Sequence, residues 1–286
     1  MNAPIRQHWV PKVYLRSFCA LPVCEEQIYV HDLSERKSFK TSIDNIALKR
    51  HFYTLGRHQA QPSYVIEEAL SKLESDVKPL LNELVETESL FKESSKRTLF
   101  SVFLATLLMR SRQGFQVIYG FREEVRSELE NANSQLPSDL IHELLALDAE
   151  GMRELFAKSV IAIAGPLSKY IQAMHWRLLR AEEDYFITSE NPFVIYNHAN
   201  ERWGLMTPES HIHVAISPRL LLHLCKEPTI PGQGTVSLFK ESVKGANGLT
   251  MLGAEKYVLS HTSFETLEEL LADRAVGVKR EFGPAE

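Results

Sequence analysis

The sequence is poor in cysteine, in long apolar runs and in charge of one sign. Three cysteines occur in 286 residues, Cys19, Cys24 and Cys225, and no two are spaced as Cys-x-x-Cys. That count argues against a disulfide framework and fits a reducing, cytoplasmic setting. The longest apolar run, Leu99 to Met109, is about half the ~20 residues needed to span a bilayer. The opening MNAPIRQHW carries no apolar stretch of the signal-peptide kind. A soluble protein with no membrane partner is expected. Net charge is −5 with a pI near 6.1, which excludes an extended basic surface that wraps DNA. It leaves room for a small-molecule or nucleic-acid ligand in a local basic cleft. No internal repeat, HExxH, GxSxG, Walker or dinucleotide fingerprint is found.

What is present is a mixed α+β pattern. Residues 1–286 read as a single domain with three sub-regions: 1–60, a motif and β-hairpin unit; 61–174, helical; and 175–286, β-rich with a final helix. "EEQIYVHDL" and "SFKTSIDNIA", joined by Ser34 to Lys37, read as a hairpin, and "RHFYTL" as a further short strand. From Ser63, a candidate N-cap, Ile66, Leu70, Leu73, Val77, Leu80, Leu81 and Leu84 mark an amphipathic helix that Pro79 should kink. "KRTLFSVFLATLLMRSR" is apolar nearly all round and should be the central buried helix. Further helices are expected over 115–131, over 137–147, and after Ala149 with a break at Gly165-Pro166. From His175, short runs bounded by Pro, Asn and Gly predict a mostly antiparallel sheet. Lys244 to Gly248 reads as a turn, and Thr262 to Glu265 as a capping box opening a helix over 263–272.

Candidate site residues fall in four places. "RQHWVPKVYLRSF" puts Gln7 and His8 just before Pro11, a plausible first helical residue, with Tyr14 following. The first turn of a helix attracts anions, so a His beside it suits phosphate or carboxylate. Glu67 and Glu74 are seven apart and share the edge of the apolar stripe. Such carboxylates serve either as solvated boundary charges or as metal ligands. Arg110 emerges from the buried helix and could clamp an anion through its planar fork. "FITSENPFVIY" sets Ser189, Glu190 and Asn191 at a strand end before Pro192, as a site loop would. His211 and His213 share a strand face, a spacing open to metal binding but without an obvious third ligand.

These stretches together resemble the bacterial family called domain of unknown function 4238. "QHWVPKVYLRSF" resembles its opening signature, "NIALKRHFYT" its Asn-Ile-Ala segment, "IEEALSKLES" its glutamate-bearing helix, and "FITSENPFV" with "ISPRLLL" its later turn and Ser-Pro segment. The resemblance spans about Gln7 to Ser260. One departure is Glu190, where the family pattern has Asp. The resemblance implies that Gln7, His8, Tyr14, Asn45, Tyr53, Glu67, Arg110, Glu190 and Asn191 act together, and carries no reaction with it.

The residue types lead to two expectations. One is a hydrolase, a phosphodiesterase or nuclease, acting on a phosphate-containing substrate such as a nucleotide or nucleic acid. His8, Glu67, Arg110 and Glu190 would be catalytic, with Glu67 and Glu190 holding a divalent metal. Gln7, Tyr14, Asn45, Tyr53, Ser189 and Asn191 would bind substrate. The other is a non-catalytic ligand- or protein-binding module, in regulation or phage defence, whose polar residues form a buried network.

Overall fold

A computed structural model describes residues 5–22, 25–130, 138–196, 210–227 and 234–264, without the side chains of 112, 128–130 and 138–140. The chain opens with β1 (Arg6–His8), the short helix α1 (Lys12–Leu15) and a 3-10 turn (Arg16–Phe18). Strands β2 (Gln27–Asp32) and β3 (Lys37–Ser42) form the expected hairpin, with Gln27 opposite Ser42 and Asp32 opposite Lys37. Asp32 Oδ1 accepts from Ser34 N, Ser34 Oγ and Glu35 N, which satisfies the turn from within. A 3-10 turn (Ile43–Asn45) leads into β4 (Leu48–Arg50), which pairs antiparallel with β1. The short strand therefore lies before "HFYTL" and not along it. His51 takes φ 54°, a left-handed turn that ends the strand.

The helical middle comprises α2 (Val65–Thr87), α3 (Ser94–Arg110), α4 (Arg112–Glu130), α5 (Ser138–Ala146) and α6 (Ala149–Ala173). Helix α2 starts two residues after Ser63, with Tyr64 at its N-cap and no side-chain cap. It runs through Pro79 as one element. Helix α6 likewise continues through Gly165 and Pro166, where the sequence predicts a break. Proline removes one backbone hydrogen bond, and packing along the length of α3 and α6 outweighs that loss. Helix α3 is central, as its all-round apolarity requires: the eleven residues from Phe100 to Arg110 are all buried except Val102.

The C-terminal strands divide between two sheets. One has the order β10-β5-β9-β8-β7, built from β5 (His175–Ala181), β7 (Val194–Tyr196), β8 (His211–Ser217), β9 (Leu220–Cys225) and β10 (Thr235–Leu238). Its pairs are antiparallel except β10 with β5. The other, β3-β2-β11-β6, joins the N-terminal hairpin to β11 (Tyr257–Ser260) and β6 (Thr188–Ser189). The first and last parts of the sequence thus share a sheet, and the fold is α+β. Helix α7 (Lys240–Gly253) absorbs the Lys244–Gly248 segment expected as a turn. Asn247 on it accepts from Ile187 N and donates to Tyr185 O, tying α7 to the approach to β6. The expected C-terminal helix lies outside the described residues beyond Phe264, as does Cys24.

One apolar core draws on all three sub-regions: Tyr14 and Phe18, Leu81 and Phe103, and Ile212 and Leu222 belong to the same cluster. No helix among the described residues is long and apolar enough to cross a membrane.

Candidate functional site

Alternation along β1 decides what the opening motif does. A strand sends successive side chains to opposite faces. Gln7 is fully buried, while Arg6 is exposed and His8 half-buried. Gln7 accepts from Tyr53 N through Oε1 and donates to Thr54 Oγ1, joining β1 to the segment after β4. Arg6 and His8 face a cleft of about 310 Å³ lined also by Lys12, Asp44, Glu67, Ser71, Glu74 and Arg110. The motif both plugs and lines. Arg6 and His8 of β1, with Lys12 at the start of α1, supply the cleft. Gln7 and Tyr14 close the core beneath it.

The floor of the cleft is built by α2 and the end of α3. Glu67 and Glu74 occupy one face of α2, as their seven-residue spacing requires, and both line the cleft. Arg110 Nη1 donates to Glu74 Oε1 at 2.7 Å, Nε donates to the Tyr53 hydroxyl at 3.3 Å, and Nη2 donates to the His8 carbonyl. The guanidinium is 3% exposed. Coulombic attraction from Tyr53 and Glu74, with their hydrogen bonds, raises its pKa despite desolvation. Arg110 is therefore an anchor that fixes β1, α2 and α3 together. Its fork, expected to clamp substrate, is already filled.

Glu67 differs from Glu74. Its Oε2 is buried and has no hydrogen-bond partner. Desolvation pushes its carboxyl up to about 7, with attraction from Arg110 opposing and Glu74 adding repulsion. His8 shifts the other way. Burial lowers its pKa below the usual imidazole value, and Lys12 and Arg110 lower it further. Its Nε2 lies 3.2 Å from the Ile43 carbonyl. A carbonyl only accepts, so Nε2 carries the proton and the neutral ring presents Nδ1 as its acceptor. One cleft thus holds a carboxyl kept protonated towards neutrality and an imidazole kept neutral. Groups pushed apart from their ordinary values in a cleft are a signature of acid–base sites.

At the mouth stand Arg6 and Lys12, two basic residues of the opening motif. Arg6 Nη2 donates to Asp44 O at 2.6 Å and to Asn45 Oδ1 at 2.9 Å. Lys12 Nζ pairs with Asp44 Oδ1 at 2.8 Å, which holds the Asp44 carboxyl below its usual range. Asn45, expected as a substrate binder, is exposed and positions Arg6.

The remaining expected site residues gather elsewhere. Tyr14 is fully buried; its hydroxyl donates to Ala215 O at 2.6 Å and accepts from Thr188 Oγ1 at 2.7 Å. Burial raises its pKa. Tyr53 is fully buried, its phenol pushed up to about 12 by desolvation. Ser189 Oγ donates to Asn191 O and accepts from Asn191 N, both at 3.0 Å, and Asn191 Nδ2 donates to Gly253 O. Glu190 is 6% exposed. Its Oε1 accepts from Glu255 N at 2.5 Å and Lys256 N at 2.7 Å, and its Oε2 from Tyr257 N at 2.8 Å. Burial raises its pKa, and those backbone N–H groups oppose the rise. The Ser189–Asn191 turn is a buried splice between β6, β11 and α7, not an open site loop.

The expected Glu67–Glu190 metal pair is not assembled. Glu190 borders a different depression, of about 230 Å³, with Trp9, Phe52, Phe115 and Phe156, and its oxygens are held by the backbone. Glu67 remains as the cleft's one carboxylate with an unmatched buried oxygen among the described residues.

Comparison with known proteins adds the family and no chemistry. No curated protein and no solved structure matches the chain. A family match covers residues 6–264, from the strand that opens the cleft to the last described residue. The chain belongs to the family described as Protein of unknown function (DUF4238).

Proposed function

We propose that this protein is a hydrolase acting on a phosphate-containing substrate, a nucleotide or a nucleic-acid strand, in the cleft between β1 and α2. The observation that carries the reading is the buried, unmatched Glu67 Oε2 in a polar cleft, on a carboxyl whose pKa is about 7. Three cations, Arg6, Lys12 and Arg110, line the cleft against Asp44, Glu74 and Glu67, so it is net positive whenever Glu67 is protonated. An anionic substrate is the natural complement.

The roles follow from the proton inventory. His8 Nδ1 takes a proton from water as its oxygen bonds to phosphorus. Glu67 gives its proton to the departing ester oxygen as the P–O bond breaks. Arg6 and Lys12 at the mouth offset the charge on the non-bridging oxygens. Arg110 acts indirectly, by holding the His8 backbone and Glu74. This scheme needs no metal held by a Glu67–Glu190 pair, because Glu190 is committed to the backbone. Cys19 and Cys225 are free, buried thiols, which supports a reducing compartment such as the cytoplasm.

A second reading has its own support. Gln7, Tyr14, Tyr53, Ser189, Glu190 and Asn191 form saturated buried contacts, as a binding module would use to fix its shape. Turnover separates the two. The purified chain is assayed against phosphodiesters, nucleotides and short single- and double-stranded oligonucleotides. The hydrolase reading expects turnover that falls at least about 100-fold in Glu67→Gln and in His8→Ala. Ligand binding without turnover in wild type would select the module. Turnover that survives both substitutions would remove the cleft from the chemistry.

A further inference from the structure

We infer that the β8–β9 hairpin carries a transition-metal site of the zinc class, formed by His211, His223 and Cys225. None of these residues lines the β1–α2 cleft. The register of the hairpin makes the site. His211 stands opposite Cys225, and His213 opposite His223. Opposed residues on adjacent strands, and those two apart along one strand, project to the same face. That face opposes the one on which Ile212, Leu222 and Leu224 enter the main core.

The ligand atoms converge. One donor atom each from His211, His223 and Cys225 lies within 4.8 Å of the other two. His211 Nδ1 and His223 Nε2 are 2.9 Å apart, and their rings stack at 8°. Tetrahedral zinc with bonds of about 2.0–2.1 Å to nitrogen and 2.3 Å to sulfur sets its donors roughly 3.3–3.7 Å apart. The two imidazoles open slightly and the thiol closes in, movements within the reach of side-chain torsions. The sequence shows the His211/His213 spacing alone. The structure replaces that pair with a triad, because strand pairing brings in two residues of β9.

The surroundings orient the ligands. Tyr196 on β7 stacks on His211 and has its hydroxyl 2.9 Å from His213 Nε2, and His213 packs edge-on against His223. His211 is 9% exposed and Cys225 6%. Imidazole and thiolate together favour Zn²⁺ over Mg²⁺ or Ca²⁺, which take oxygen ligands. Three protein ligands leave a fourth position for water or another donor.

The test is metal uptake by the full chain after chelator treatment and dialysis. Zn²⁺ should bind at one equivalent. Co²⁺, its spectroscopic substitute, should give the intense thiolate-to-metal band and the visible absorption of a tetrahedral centre. Cys225→Ser should abolish the thiolate band, and His223→Ala should weaken uptake at least about 10-fold. Glu67→Gln, in the cleft, should bind as wild type does, which keeps this result apart from any loss of hydrolysis. The inference is overturned if wild type takes up neither ion, or if Co²⁺ binds without a thiolate band. Because the decisive measurement is on wild type, a variant that fails to fold does not rescue the idea.

Discussion

Glu67, half-buried, and Glu190, buried, are carboxylates on either side of one arginine-anchored junction, and they have opposite fates. Arg110 borders both depressions. Glu190 accepts from the backbone N–H of Glu255, Lys256 and Tyr257 and acts as a staple. Glu67 has an oxygen that meets nothing. Desolvation raises both carboxyls, and Glu74 adds repulsion at Glu67. What separates the two carboxylates is whether their lone pairs are used. A buried acceptor left unmatched costs free energy, and under the hydrolase reading this is the group that exchanges a proton.

The comparison breaks most severely at Glu190. Glu190→Ala strands three backbone N–H groups between α7 and β11, and the expected loss is about 3–5 kcal/mol. Denaturant unfolding checks this; a loss below about 1 kcal/mol would mean that water replaces the carboxylate and that the turn is open after all. Next is Arg110→Lys. Lysine keeps the charge but can serve only part of a set that now includes Glu74, the His8 carbonyl and Tyr53. The expected cost is about 2 kcal/mol. Under the hydrolase reading it also lowers turnover while leaving the pH of the Glu67 limb in place. A variant as stable as wild type would show that Arg110 does not anchor the cleft.

Much of this was legible in the sequence. The hairpin, the buried α3 and the Glu67/Glu74 face follow from periodicities of 2 and 3.6, which are local. Helix α6 continues through the expected break at Gly165-Pro166 because tertiary packing outweighs one lost hydrogen bond. The pairing of β2 with β11, nearly the full chain apart, has no local signal. The burial of Ser189, Glu190 and Asn191 has no local signal either. "FITSENPFV" shows polar residues at a strand end, but only the fold reveals that the backbone after Gly253 comes to meet them. Arg6 and Lys12 lie in the opening motif; that they share a cleft with Glu67 depends on the pairing of β1 with β4.

The smallest expected effect tests the free side of the comparison. In the unfolded chain Glu67 titrates at the ordinary 4.5; in the fold it titrates near 7. The folded state therefore holds the proton more tightly. Stability from this group is fully present below pH 4.5 and is lost as pH rises through 7, where a charge must be kept in the partly desolvated cleft. The full shift corresponds to at most about 3 kcal/mol, and screening at the cleft mouth reduces this to about 1 kcal/mol. Glu67→Gln, neutral at every pH, removes that slope. Above pH 8 the variant should melt a few degrees higher than wild type, and below pH 5 the advantage should vanish, a convergence that paired melts across pH would record. Under the hydrolase reading turnover takes the opposite sign, because the same substitution removes the proton that the leaving oxygen needs. Gain of stability with loss of turnover is what a strained catalytic carboxyl predicts. A carboxyl that merely decorates the helix edge would move neither.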